Sequence, residues 1–175
     1  MNGDVDTILF EDESAIRDYQ AIMKSWFPKG RQRLIKTYGK HESVKLVGIL
    51  NYETGKVYVE EHEEFNARVF LKFLSNALKL YPKGKIVMVL DNSKVHHAIL
   101  LEEFLFSNPR ISLMFLPSYS PKMNIIEGFW GWLKESCINN VFFPKFYYIK
   151  IAVRKFVDWV NSIPFIVIDR LCIKM

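Results

Sequence analysis

Apolar residues in this chain fall into short runs and helical stripes, divided by turn formers. Residues 5–10, Val-Asp-Thr-Ile-Leu-Phe, read as a strand. Glu11, Asp12 and Glu13 cannot continue a buried ladder without partners, so the strand is expected to end near Asp12. Residues 14–41 show poor periodicity. Trp26 to Gly30 reads as a loop, and Arg31, Arg33, Lys36 and Lys40 make the segment a basic excursion. Residues 44–51 and 56–61 are β-rich and flank a turn in which Gly55 can take positive φ, the pattern of an antiparallel hairpin.

Asn66 is placed to cap a helix running to about Tyr81, with Val69, Phe70, Phe73, Leu74, Ala77 and Leu78 on one face. Residues 86–90 are apolar without interruption, as in a central strand covered on both sides, and the helical crossover before them implies a parallel neighbour. There follow a helix over about 96–106, a strand over 112–116, a turn-rich loop, a helix over about 125–139 and a last helix over about 147–161. In the last helix, Ile149, Val153, Phe156, Val157 and Val160 repeat at helical spacing, most simply as core. Residues 165–175 are β-prone with no evident place in the fold.

Composition narrows the picture. A chain of 175 residues, half apolar and 15% aromatic, has enough material for one folded domain and is unlike a disordered segment. Its net charge of +5 is a mild bias toward polyanionic partners such as nucleic acid. Cys137 and Cys172 form no Cys-x-x-Cys pair, so neither a zinc ribbon nor a disulfide framework is indicated. No apolar run reaches about 18 residues, and no signal-peptide pattern opens the chain; a cytoplasmic protein without a membrane span is expected.

Three acids stand out by position. Asp12 and Asp91 each follow an apolar strand, and Glu127 lies early in the helix that leaves the turn-rich loop. In a sheet with parallel neighbours, functional groups gather beyond the carboxyl ends of strands, which would bring the two aspartates together. Carboxylates so close share a proton or bind a cation, and oxygen donors suit hard divalent ions. Two magnesium ions about 4 Å apart can activate water or a 3′-hydroxyl against a phosphodiester without a nucleophilic side chain. The chain has no glycine-rich phosphate loop, Gly-x-Ser-x-Gly elbow or His-Glu-x-x-His helix.

Each acid also has a structural explanation. Asn124 and Glu127 have capping-box spacing, Asp91 and Asn92 could form an Asx turn, and Asp12 could be a solvated strand end. The default for His96 and His97 is a solvent-facing or capping imidazole. Trp130 and Leu133 share a helix face with Ile126 and are expected in the core. Lys94, Lys122 and Lys134 are either solvated charges or contacts to a phosphate backbone passing the acids.

The motifs around these acids are specific in combination. Phe10 to Ser14, Val89 to His96, and Leu116 to Trp130 with Leu133 and Lys134 resemble, in order and over nearly the whole chain, the catalytic domain of mariner-like DDE transposases. The bacterial and archaeal insertion-sequence branch fits best. Ser118 and Ile125 depart from the prolines often found at those positions, and neither is a ligand position.

The resemblance implies an α/β chain with a ribonuclease-H-like fold, a five-stranded mixed sheet flanked by helices, in a single domain over 1–175. Carried onto matching positions, it implies Asp12, Asp91 and Glu127 as catalytic and metal-binding acids for Mg2+ or Mn2+, with two ions. Asn92, Lys94, His96, Lys122, Asn124 and Lys134 are expected in supporting or DNA-contacting roles. The implied activity is DNA cleavage followed by strand transfer. The implied partners are transposon ends, target DNA and a second copy of the chain, in a prokaryotic cytoplasm at the nucleoid. Trp26 and Gly30 match a segment that relatives use between protomers. No helix-turn-helix module precedes Asp12 here, so specific recognition of terminal repeats is not expected. The rival expectations are a domesticated or truncated remnant that binds DNA or dimerises, and another ribonuclease-H-like nuclease.

Overall fold

The computed structural model describes residues 5–18, 23, 26, 28–31, 34, 36, 42–117 and 123–171. Five strands form one sheet: β1 (Thr7–Arg17), β2 (Ser43–Asn51), β3 (Val57–His62), β4 (Ile86–Leu90) and β5 (Ile111–Phe115), in the order β3-β2-β1-β4-β5. β1 pairs antiparallel with β2 and parallel with β4, β2 pairs antiparallel with β3, and β4 pairs parallel with β5. The mixed five-stranded sheet expected from the sequence is therefore present.

Helices cover both faces. α1 (Ala67–Leu80) and α2 (Ile99–Ser107) lie on one side; α3 (Ile125–Leu133), α4 (Phe146–Ser162) and α5 (Pro164–Leu171) lie on the other. The Asn66 side chain accepts hydrogen bonds from the backbone N–H groups of Arg68 and Val69, satisfying two otherwise orphaned donors at the start of α1. Phe70, Phe73, Leu74 and Ala77 are fully buried against Leu9, Ile49, Met88 and Leu90 of the sheet. Each large side chain so buried contributes about 2 kcal/mol. On the other face Ile126, Phe129, Trp130 and Leu133 of α3 pack with Ile16, Leu46 and Leu50, so Trp130 and Leu133 are core as expected.

Three expectations about element boundaries are corrected. β1 does not end near Asp12 but runs five residues further, because β2 keeps pairing with it to Arg17 after β4 has stopped. Glu11 is fully buried there, and Asp12 and Glu13 are half-buried. The expected helix over 96–106 is split: Lys94–His97 form a 3₁₀ turn, Ala98 is extended, and α2 begins at Ile99. The β-prone tail is helical over Pro164–Leu171, since proline suits a first helical turn and Val167 gains full burial against the α3 face. The helix over 125–139 is present as α3 followed by a π-helical turn, Lys134–Ile138.

Candidate active site

The site lies where β1 outruns its parallel neighbour. Phe10 pairs with Val89, so two residues further along the same register Asp12 stands beside Asp91, just past the end of β4. Alternation along β1 assigns the faces: Phe10 and Ile16 pack on the α3 side and Leu9 on the α1 side. Asp12 thus shares the α3 face, while Glu11 and Glu13 share the other.

α3 delivers Glu127 to the Asp12 side. Its approach depends on two contacts. Gly48 of β2 is the pairing partner of Asp12, and a Cβ built there would lie 2.8 Å from the Trp130 indole, so the missing side chain is what lets α3 lie so close. Asn124, at the start of α3, is buried and donates from Nδ2 to the Glu11 carbonyl oxygen at 2.7 Å. This bond pins the helix to the strand one residue before Asp12. Asn124 makes no capping bond through its side chain, so the capping role expected for it is replaced by a bond across to β1. Asn124→Ala is expected to cost about 1–3 kcal/mol, measurable by urea denaturation, because the buried Glu11 carbonyl loses its donor.

The electrostatics register the convergence. The Asp12 carboxyl is pushed up from 3.8 to about 7, first by burial and then by Glu127, Glu13 and Asp91, with one backbone hydrogen bond opposing. Asp91 and Glu127 are themselves exposed, and both act electrostatically on the half-buried Asp12, at a rim open to solvent. The Asp91 Oδ1 accepts from the Ser93 backbone N–H at 3.0 Å, so the Asx turn considered for this position is present and fixes the carboxylate after β4.

The remaining predicted residues divide. Asn92 accepts through Oδ1 from the His97 imidazole, which stacks on Phe115 with ring centroids 4.3 Å apart. Lys94 is exposed in the 3₁₀ turn, and Lys134 is half-buried in the π-helical turn after α3. Lys122 and Ser118 lie outside the described residues. His96 contradicts its default: it is 3% exposed, packed against Phe70 and Phe65, with Nδ1 3.2 Å from the Asp91 carbonyl oxygen. Burial opposes its protonation, but Glu13 and Asp91 outweigh that and hold its pKa above the ordinary value.

Sequence reading missed Glu11 and Glu13 as site residues. Glu11 is fully buried, and burial, then Glu13, Asp12 and Asp91, push its carboxyl well above the usual range. Among the described residues, the group whose ligand atoms all lie within 4.8 Å of one another is Glu11, Glu13 and His96; the three predicted acids are not in that group. The available signal was strand alternation: with Asp12 on one face, both flanking glutamates must point to the other. Among the described residues no helix is long and apolar enough to cross a membrane.

The chain is 27% identical over 158 residues to the insertion element IS630 uncharacterized 39 kDa protein of Shigella sonnei, covering 90% of this chain and 46% of that one. It superposes on the Mos1 transposase paired-end complex with left transposon end with a TM-score of 0.69 and 17% identity, covering 94% of this chain and 52% of that one. For the Mos1 mariner paired-end complex with Mn the TM-score is 0.70 and the identity 18%, over 94% and 52% of the two chains. The chain therefore spans about half the length of these relatives. These structures share its fold. Residues 7–150 match the family model described as DDE superfamily endonuclease. By that match, over most of its length, the chain belongs to the DDE superfamily endonuclease family.

Proposed function

We propose that this chain is the catalytic domain of an insertion-element transposase, cleaving DNA and joining strands with Asp12, Asp91 and Glu127 and a divalent metal. The observation that carries the reading is the placement of Asp12 just past the end of β4, beside Asp91 and within the field of Glu127, where burial first and then these acids raise its pKa to about 7. A half-buried carboxylate beside other carboxylates, Glu13 included, favours a cation among them. The donors are all oxygen and two of the three are solvent-accessible, which fits Mg2+ or Mn2+, ions that keep water in their shells.

Asp12, Asp91 and Glu127 would hold two such ions. When bound, these supply Lewis-acid stabilisation to the phosphodiester and acidify the attacking water or 3′-hydroxyl. The chain's own residues set the geometry: the register of β1 and β4 spaces the aspartates, and Asn124 with the Trp130–Gly48 contact holds Glu127 over them. Lys94, in the turn after Asp91, and Lys134, in the turn that follows α3, suit a DNA backbone, adding salt-dependent affinity without sequence information. Asn92 acts by holding His97.

The partners in this reading are transposon ends, target DNA and a second copy of the chain, in the cytoplasm of a prokaryote. The Mos1 structures are paired-end complexes. Trp26 is fully exposed here, in the segment between β1 and β2, and is the surface we assign to contact between copies.

Nicking of supercoiled plasmid with Mg2+ or Mn2+ tests the reading. Wild-type protein should nick only with metal, and Asp91→Ala should be slower by on the order of a thousandfold or more. Equal activity of the two, or activity in chelator, would remove Asp91 from the site. Salt-dependent DNA binding with no cleavage would favour a binding module.

A further inference from the structure

The α1-facing side of β1 carries a second constellation, which the three-carboxylate site does not use. Glu11 is fully buried, and neither of its carboxylate oxygens has a hydrogen-bond partner among the described residues. Facing it is His96, whose Nε2 also lacks a hydrogen bond although it lies 3.7 Å from Glu11 Oε2 and 3.3 Å from Glu13 Oε1. Glu13 Oε1 is unsatisfied as well. Four buried polar atoms from three side chains therefore face one another at ion-pair distances, with no well-formed hydrogen bond to satisfy them.

The other ring nitrogen explains why. His96 Nδ1 is 3.2 Å from both the backbone oxygen and Oδ1 of Asp91, each of which can only accept, so Nδ1 carries a proton. In the neutral ring Nε2 is then a lone pair directed at two carboxylates. Buried lone pairs in that arrangement repel unless a positive charge lies among them. The spacing fits a shared ion: ligand atoms each about 2.1 Å from one metal stand roughly 3.0–3.5 Å apart, which 3.3 and 3.7 Å approach. An imidazole held through Nδ1 by a carboxylate and a backbone carbonyl is also the usual outer support of a metal-binding histidine.

We propose that Glu11, Glu13 and His96 form a second metal site, distinct from the Asp12–Asp91–Glu127 site, that takes a divalent transition metal, Zn2+ or Mn2+. One nitrogen and two carboxylate ligands favour these ions over Mg2+, which prefers oxygen donors and retained water. The Glu13 side chain is 22% exposed and marks the route by which the ion and any completing water arrive. The position has a consequence. Glu11 and Glu13 flank Asp12 on β1, while His96 grips Asp91 through Nδ1, so an ion here clamps together the two chain segments that carry the aspartates. It is a positioning metal, set on the far face of the sheet from Glu127.

The test removes the first site and looks for the second. Full-length Asp12→Asn/Glu127→Gln protein is dialysed against Zn2+ or Mn2+, then metal-free buffer, and its metal content measured. One ion per chain should remain. Adding His96→Gln should weaken binding by about a hundredfold or more, and Glu13→Gln, at the more open edge, should weaken it without disturbing the buried groups. Pulsed EPR of the Mn2+-loaded double variant should show 14N coupling from an imidazole ligand, which the three-carboxylate site cannot supply. No retained ion, retention unaffected by His96→Gln and Glu13→Gln, or a Mn2+ spectrum without nitrogen coupling would overturn the site and leave a proton as the occupant. Because the first site is disabled throughout, these outcomes are independent of whether wild-type protein cleaves DNA.

Discussion

Asp12→Asn should abolish metal-dependent DNA cleavage and, in metal-free buffer at pH 8, make the protein more stable than wild type. The loss of activity follows from removing a charged donor from the rim where three carboxylates converge, and should again be on the order of a thousandfold or more. The gain in stability follows from linkage. The Asp12 carboxyl ionises near 3.8 when unfolded and near 7 when folded, so the folded chain holds this proton more tightly. Its contribution is intact below the unfolded value and is lost as pH rises from about 4 to about 7. Above that range, wild type carries an ionised carboxylate that burial and Glu127 disfavour, whereas asparagine carries none. Allowing for the solvent that reaches the rim, the variant should gain about 2 kcal/mol, or about 4–8 °C in Tm. The difference should vanish toward pH 4, and Mg2+ or Mn2+ should stabilise wild type more than the variant. A variant no more stable than wild type at pH 8 would mean that Asp12 is not held in this field.

The second large effect is expected at a residue with no polar side chain. Gly48→Ala places a Cβ 2.8 and 2.9 Å from two ring atoms of Trp130 and 3.4 Å from Ile126 Cδ1, distances that require something to move. Trp130 and Ile126 are buried, and both belong to α3. Overpacking of this kind costs about 1–3 kcal/mol. The functional cost should be larger, because moving α3 away from β2 also moves Glu127 away from Asp12. A displacement near 1 Å at a reacting centre can lower the rate about a hundredfold. Plasmid nicking by Gly48→Ala should fall by that order while circular dichroism remains native. Trp130→Phe, which shrinks the ring facing Gly48, should restore part of the rate in the double variant. If Gly48→Ala nicks at the wild-type rate, the close approach of α3 is not what sets the site.

Much of this was legible in the chain because local chemistry and tertiary context agree. The α1 stripe, its Asn66 cap, the unbroken apolar run of β4 and the Gly55 turn each specify one element, and each is present at or within a residue or two of its expected place. Where reading by local pattern failed, a long-range partner decided. Charges at Glu11 to Glu13 read as the end of a strand, yet β2 pairs past them. His96 looked like a surface residue at a helix start, but Phe70 and Phe65 bury its ring and Asp91 orients it. The stretch after Pro164 is β-prone by composition, but over Pro164–Leu171 it forms a helix that buries Val167 in the core.

The sequence by itself nominated Asp12, Asp91 and Glu127 through the family motifs, and its periodicities marked most of the strands and helices that carry them. Only the tertiary structure decided how those residues act on one another. A one-dimensional pattern states which face a side chain takes relative to its neighbours, but field and burial depend on what the rest of the chain brings against that face. Thus Asp12 owes its raised pKa to burial and to Glu127, more than a hundred residues away, and Glu11 and Glu13 face His96 because β1 and the turn after β4 meet at the same sheet end.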